Sequence, residues 1–440
     1  MQYIPNILFL IILVLGVGYF TKNIRKIIRN IKLGQEVDAS DNKGERWKNV
    51  MRIALGQSKM VVRPISGIMH IIVYLGFVII NIEVLEIIID GLFGTHRIFG
   101  SLGVVYDYLI ASFEVLALLV LVAVVVFWLR RNVQRVKRFL SPEMKGWPKN
   151  DGNIILYFEV VLMTLFLTMN GADLQLQLLG SDHYAKAGLF PVSSLLAPIF
   201  ENFSESTLIL IERIAWWLHI IGILIFLNYL YFSKHLHIIL AFPNVYFGKL
   251  TAKGKFKNLE SVTNEVKLMM DPSADPYAAP PEGAETPAKF GASDVMDLST
   301  IQLLNAYTCT ECGRCTSECP ANQTGKKLSP RKIMMDTRDR LQEVGANVDK
   351  NGEFQPDGKQ LLDDYISREE LWACTTCNAC VEACPVSIDP LSIIMDMRQY
   401  LVMEQSAAPS ELNVTMTNIE NNSAPWPFNQ MDRANWINEQ

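Results

Sequence analysis

Long apolar runs dominate the first 242 residues and are nearly absent after them. Five of these runs, at residues 4–20, 65–89, 104–129, 154–169 and 208–232, are long enough to cross a bilayer, at about 20 residues per crossing. Further along, the pattern becomes short and amphipathic. Ile333, Met334, Leu341 and Val344 recur at helical spacing among many charges, which predicts a helix over residues 329–344 of a small, mostly helical domain. Residues 258–292 shift to Pro, Ala, Glu and Ser, with Pro272, Pro276, Pro280, Pro281 and Pro287, and read as an extended linker. The tail from Ser406 has few apolar positions yet keeps Trp426, Phe428, Trp436 and Ile437, so it is expected to dock on a partner. The chain is therefore expected to be all-α. It divides into a five-helix membrane domain (1–245), a linker (246–294), a helical domain (295–403) and a docking tail (404–440).

Charge gives the membrane domain a direction. The first run lacks a basic leader and a small-residue cleavage site, and basic residues follow it, so it reads as a retained helix. Lys22, Arg25, Lys26, Arg29 and Lys32 follow the first run; Arg130, Arg131, Arg135, Lys137 and Arg138 follow the third; Lys234, Lys249, Lys253, Lys255 and Lys257 follow the fifth. The alternate loops carry Asp173, Asp182, Glu201 and Glu205. By the excess of cations on cytoplasmic loops, the N-terminus is expected outside and residues 246–440 inside. The overall charge of −5 adds little, and no nucleic-acid partner is expected.

All eight cysteines lie after residue 308, in two copies of one pattern. Cys309, Cys312, Cys315 and Cys319-Pro320 are repeated 65 positions later as Cys374, Cys377, Cys380 and Cys384-Pro385. This is C-x2-C-x2-C-x3-C-P twice, the run that holds two [4Fe-4S] clusters, in which the fourth cysteine of each run serves the other cube. The spacing assigns Cys309, Cys312, Cys315 and Cys384 to one cluster and Cys374, Cys377, Cys380 and Cys319 to the other. Disulfides suit small secreted chains, and zinc sites pair two C-x2-C units without the closing proline. The chemistry expected is electron transfer.

Six histidines occur, and their placement is the second signal. His70 falls in the second run and His219 in the fifth, while His235 and His237 lie at the inner end of the fifth; His96 and His183 fall in outer loops and are expected to be solvated. Histidine inside a bilayer is costly and marks function, and facing imidazoles from two helices are axial ligands of b-type haem. If the fifth helix ran unbroken, His219 and His237 would share one face about 27 Å apart, and His235 would point roughly 160° away. His70 and His237 then form the preferred pair, with His235 the poorer candidate. For His219 two options stay open: a second haem with another ligand such as Met169, or one haem bridged by His70 and His219. Interhelical hydrogen bonding is the alternative role for these histidines. Glu114 and Glu159 are further ionisable positions in the runs, and Glu159 is the candidate proton relay for quinone chemistry, with a satisfied structural carboxylate as the alternative. Arg63, Arg213 and Lys234 are candidate partners of haem propionates, or snorkel to head groups.

At these residues the chain resembles two known modules. Met69-His70, Leu75-Gly76-Phe77, Trp217-Leu218-His219 and Phe232-Ser233-Lys234-His235-Leu236-His237 make residues 1–245 similar to the gamma subunit of respiratory nitrate reductases and its relatives in membrane heterodisulfide reductases. That family's second helix offers two histidines; here the position ten after His70 is Ile80. Cys309-Thr310-Glu311-Cys312-Gly313-Arg314-Cys315, Leu328-Ser329-Pro330-Arg331 and Leu371-Trp372-Ala373-Cys374-Thr375-Thr376-Cys377 make residues 295–400 similar to the dicluster ferredoxin domain of heterodisulfide reductases and glycerol-3-phosphate dehydrogenase subunits. The resemblance implies one or two haems b, two [4Fe-4S] clusters and a quinone, menaquinone by preference, in a bacterial inner membrane. Members often adjoin a domain with adjacent cysteines. This chain has no Cys-Cys pair, and Asn418–Asn422, Pro425-Trp426 and Arg433–Trp436 resemble the connector into that domain. A cytoplasmic partner with such a domain, or a flavoprotein, is therefore implied. A haem-free anchored ferredoxin and a cluster-based redox sensor or scaffold are the rival readings.

Overall fold

The computed structural model describes residues 3–256, 258–273 and 289–438. Five helices are long and apolar enough to cross a membrane: Ile4–Ile31, Pro64–Phe93, Val104–Asn132, Trp147–Leu179 and Glu205–Phe232, here called the first to fifth spans. Within lipid a helix meets every backbone polar group internally, which is why long apolar runs fold this way. Each span presents apolar side chains outward along one stripe, such as Leu8, Ile11 and Leu15, or Val115, Leu118 and Val122. Their inner faces meet around Phe9, Ile110, Phe113, Ala117, Phe166, Trp216 and Ile220. At Gly76 the second and third spans approach so closely that a Cβ would lie 2.5 Å from Val120 Cγ2, so a larger residue there would force the helices apart.

The fifth span does not continue straight into the helix that follows it. After Tyr229 the chain tightens into a turn at Leu230–Phe232, becomes extended at Ser233 (φ −110°, ψ 146°), turns again at Lys234–Leu236 and restarts as the helix His237–Tyr246. The buried carboxylate of Asp151, near the start of the fourth span, takes the Tyr229 hydroxyl at 2.6 Å, the Ser233 hydroxyl at 2.7 Å and the Lys234 amide at 3.2 Å. Three donors on one carboxylate fix the break, and the straight-helix projection for His235 fails there.

Helices Thr300–Thr308, Pro330–Asn351 and Pro390–Met403 frame the cysteine domain. Ser329 caps the second of these by accepting the Lys332 amide, and the helix extends the 329–344 prediction by about two turns. Leu303, Ile333, Leu341, Ile393 and Met397 form its core, which is continuous with Ile27, Phe226, Leu230, Leu236 and Leu240 of the membrane domain. One apolar core thus joins the two. Polar contacts reinforce it: Asn30 donates to the Tyr307 hydroxyl at 2.9 Å, Lys59 to the Cys384 carbonyl at 3.1 Å, and Arg63 pairs with Glu318 at 2.8 Å. The fully buried Arg331 guanidinium meets Glu143 at 2.6 Å. Gly345 lies against Asn30, where a Cβ would meet the amide at 2.3 Å.

The linker differs from its extended expectation. Glu260–Met270 is a helix, and beyond it the Phe290 amide meets Glu404 at 2.7 Å and the Ala292 amide meets the Asp396 carbonyl at 3.0 Å. Pro276, Pro280, Pro281 and Pro287 lie outside the described residues. The tail forms a helix, Ser410–Asn422, and a 3-10 segment, Gln430–Ile437, with Trp426 49% and Trp436 72% exposed.

Candidate functional site

The two cysteine runs fold alike. Glu311 and Gly313 in the first have φ of 55° and 70°, and their counterparts Thr376 and Asn378 in the second have 56° and 60°. Left-handed residues at alternate positions coil each loop tightly, so that three thiols two residues apart can face one centre. The fourth cysteine of each run ends its loop beside a proline. Cys309, Cys312, Cys315, Cys380 and Cys384 line one cavity. Cys374 and Cys380 both feel the charge of Cys319. The four cysteines assigned from the spacing to one cluster thus share a cavity with Cys380, assigned to the other. Among the described residues no three His, Cys, Asp or Glu side chains gather as they would around a single ion.

The thiols are poor company for one another without a cation. Burial pushes Cys309 and Cys380 up to about 12 and Cys384 up to about 11. Iron ligation removes that penalty, because a coordinated thiol is deprotonated outright. Backbone amides already point at sulfur: Thr376 to Cys374 at 3.4 Å and Ile388 to Cys384 at 3.3 Å. This donor set fits [4Fe-4S] clusters.

On the membrane side, the ring centres of His70 and His237 lie 6.4 Å apart at 44°. Two imidazoles bonded to one metal have ring centres about 6 Å apart. His70 Nδ1 is buried without a partner among the described residues, and His237 Nδ1 lies 3.2 Å from the Lys234 carbonyl, an arrangement that orients a ligand ring. This pair could hold a haem iron. His235 is not turned away: its ring lies 5.4 Å from that of His237 and 5.3 Å from that of Phe226, because the break at Ser233 redirects it. His219 is buried, with Nδ1 3.1 Å from the Leu162 carbonyl and its ring beside Phe166. No second histidine ring contacts it among the described residues, and Met169 lines a cavity together with Trp216 and Trp217.

Several other expectations change. Glu114 is a saturated structural carboxylate, accepting from the Val192 and Ser193 amides at 2.8 and 3.0 Å and from Asn170 at 3.2 Å. Glu159 has no hydrogen-bond partner among the described residues. Arg63, Arg213 and Lys234 are occupied by Glu318, Glu212 and Glu311 rather than free for propionates. His96 is not solvated: its side chain is 9% exposed, Nε2 lies 3.4 Å from Asp173, and its ring packs 5.4 Å from that of His183. Both histidines line a cavity of about 350 Å³ at the end of the bundle away from the cysteines, with Glu83, Glu86 and Trp216. The acids Glu83, Glu86 and Asp90, spaced along the second span, were the sequence signal for this polar pocket.

Lys234 and Glu311 were missed as a pair. Glu311 sits between Cys309 and Cys312 and is reached by Lys234 and by Arg338 at 2.7 Å. Burial would raise the Glu311 carboxyl, but these cations hold it below the usual carboxylate range.

The bundle and the paired cysteine loops define a membrane-anchored iron–sulfur protein of the electron-transfer class. Residues 308–388 match the family described as 4Fe-4S dicluster domain. The chain is 30% identical to the "Probable iron-sulfur-binding oxidoreductase FadF" of Bacillus subtilis, over 98% of this chain and 61% of that protein. It is 26% identical to the "EtfAB:quinone oxidoreductase" of Syntrophomonas wolfei, over 92% of this chain and 55% of that protein. One subunit of the ferredoxin/F(420)H(2)-dependent CoB-CoM heterodisulfide reductase of Methanosarcina acetivorans is 31% identical over 27% of this chain and 60% of its own. The chain thus spans between half and two thirds of the first two relatives. No solved structure matches it.

Proposed function

We propose that this chain is the quinone-linked electron-transfer subunit of an oxidoreductase complex, joining a haem b held by His70 and His237 to two [4Fe-4S] clusters and a redox partner. The observation that carries the reading is the continuity from His237 through Lys234 to Glu311, inside the first cysteine loop. When bound, the haem and the clusters supply one-electron carriers. The residues of this chain do the rest. Lys234 orients His237 through its carbonyl and seats the cysteine loop through its ammonium, and the shared apolar core keeps both ends at fixed separation. The place of Cys380 in the lining of the first cavity supports a short hop between the two clusters.

The name of the Syntrophomonas relative supports quinone as one redox partner, menaquinone by preference, and Glu159, without a hydrogen-bond partner among the described residues, is the proposed proton carrier. The exposed Trp426 and Trp436 support docking of a second redox chain on the tail: one with a cysteine-rich cluster domain, or a flavoprotein. The loop charges support a bacterial inner-membrane location with residues 246–440 in the cytoplasm.

The test is the reduced absorption spectrum of the purified chain, with its iron content and the paramagnetic signal of the clusters after adding a quinol. A b-type band, about eight non-haem irons and quinol-reduced clusters are expected. Eight irons without the band would leave a haem-free anchored ferredoxin. Clusters that quinol does not reduce would favour a sensor or scaffold.

A further inference from the structure

A second cavity, of about 270 Å³, opens between the end of the third span and the start of the fourth, on the cysteine-domain side. Arg131, Asn132, Arg135, Phe139, Leu140 and Lys149 line it. Three of these six are cations and none is an acid. Arg131 is fixed: one terminal nitrogen donates to the Pro148 and Lys149 carbonyls at 3.0 and 3.1 Å, and its guanidinium lies 5.0 Å from the Phe139 ring. Its Nε is buried and meets no acceptor among the described residues. Arg135 and Lys149 are exposed, and neither side chain has an acidic partner among the described residues. The site therefore offers a preorganised donor and two mobile cations to an anion.

Its level in the membrane selects the anion. Asn132 is the last residue of the third span and Trp147 the first of the fourth. Trp128 and Tyr157, which share a hydrogen bond at 3.2 Å, and the half-exposed Trp147 mark the belt where aromatic residues meet head groups. Leu140, 55% exposed, adds an apolar rim. We infer that this cavity binds the phosphate of an anionic phospholipid through Arg131, Arg135 and Lys149, as basic pockets between membrane helices do.

The site touches the docking of the cysteine domain. Phe139 also carries the Arg138 guanidinium at 4.9 Å from its ring, and the Arg138 carbonyl accepts from Arg331 at 2.7 Å. Glu143, a few residues on, holds the same Arg331. A bound head group would stiffen this segment and steady the domain seated on it.

The experiment is native mass spectrometry of the full chain, released from micelles carrying phosphatidylglycerol, phosphatidylcholine or inorganic phosphate at equal concentration. One saturable phosphatidylglycerol adduct is expected, with none from phosphatidylcholine or phosphate. The variant Arg135→Gln/Lys149→Gln removes two exposed side chains and spares Arg131, which supports the loop. It should weaken the adduct about thirtyfold, at about 1 kcal/mol per cation near the surface, with an unchanged melting temperature. Lys326→Gln/Lys350→Gln, in the cysteine domain, should bind as the parent does. Equal retention of both lipids, or full binding by the first variant, would overturn the inference. Retention of inorganic phosphate with no gain from the lipid would also overturn it, in favour of a soluble anion.

Discussion

Lys234 gives its ammonium to Glu311, whose carboxylate lies between two cysteines of the first loop, and both side chains are at least nine-tenths buried. The same lysine offers its carbonyl to His237. A single residue thus ties the end of the fifth span to the cysteine domain. Removing the anion from this knot leaves Lys234 and Arg338 buried without it. Glu311→Ala is therefore expected to cost about 3–5 kcal/mol, read as a fall in melting temperature of the detergent-solubilised chain. Glu311→Gln, which keeps the shape and some hydrogen bonds, should cost less.

Crossed ligation has a signature that single substitutions miss. Cys309→Ser/Cys384→Ser strikes one cluster, so iron should fall from about eight to about four atoms per chain. Cys309→Ser/Cys319→Ser strikes both and should leave almost none. Iron analysis with paramagnetic resonance checks this, and the reverse ranking would mean each run binds its own cube.

His70→Ala and His237→Ala should each abolish b-type absorption in the reduced chain, since one imidazole does not replace two. His235→Ala should keep the band, because its ring stands edge-on to that of His237, whereas the His70 and His237 rings are tilted at 44°. His219→Ala should also keep it. Loss of the band in His235→Ala alone would move the ligand pair to His70 and His235.

Acid should loosen the carboxylate latches of the cysteine domain. Hydrogen bonds from Lys26 and Arg29 hold Asp349 below its ordinary range, and the bond from Arg340 does the same for Asp357. Their folded values lie below the unfolded value of about 4, so their contribution is complete above that pH and is lost as pH falls through the folded values. Between pH 5 and pH 3 the melting temperature of the parent should fall further than that of Asp349→Asn/Asp357→Asn.

Much of this protein was legible in residue order alone. Five apolar runs become five helices because a backbone in lipid has no other way to satisfy its polar groups. The repeated cysteine spacing already marked two four-thiol runs fit for [4Fe-4S] clusters, since ligands held so close in sequence leave little freedom in space. Helical projection also placed His70 and His237 at similar depth. It misplaced His235, because the carboxylate of Asp151, some eighty residues earlier in the chain, stops the fifth span at Ser233. Tertiary structure alone decided that His96 is enclosed, that Glu114 is consumed by loop amides, and that Lys234 reaches Glu311. Each of these depends on a polar group meeting a partner far away in sequence inside a low-dielectric interior, where the pairing energy is large. Hydrophobic periodicity registers which face of a helix is buried and carries no record of that partner's identity.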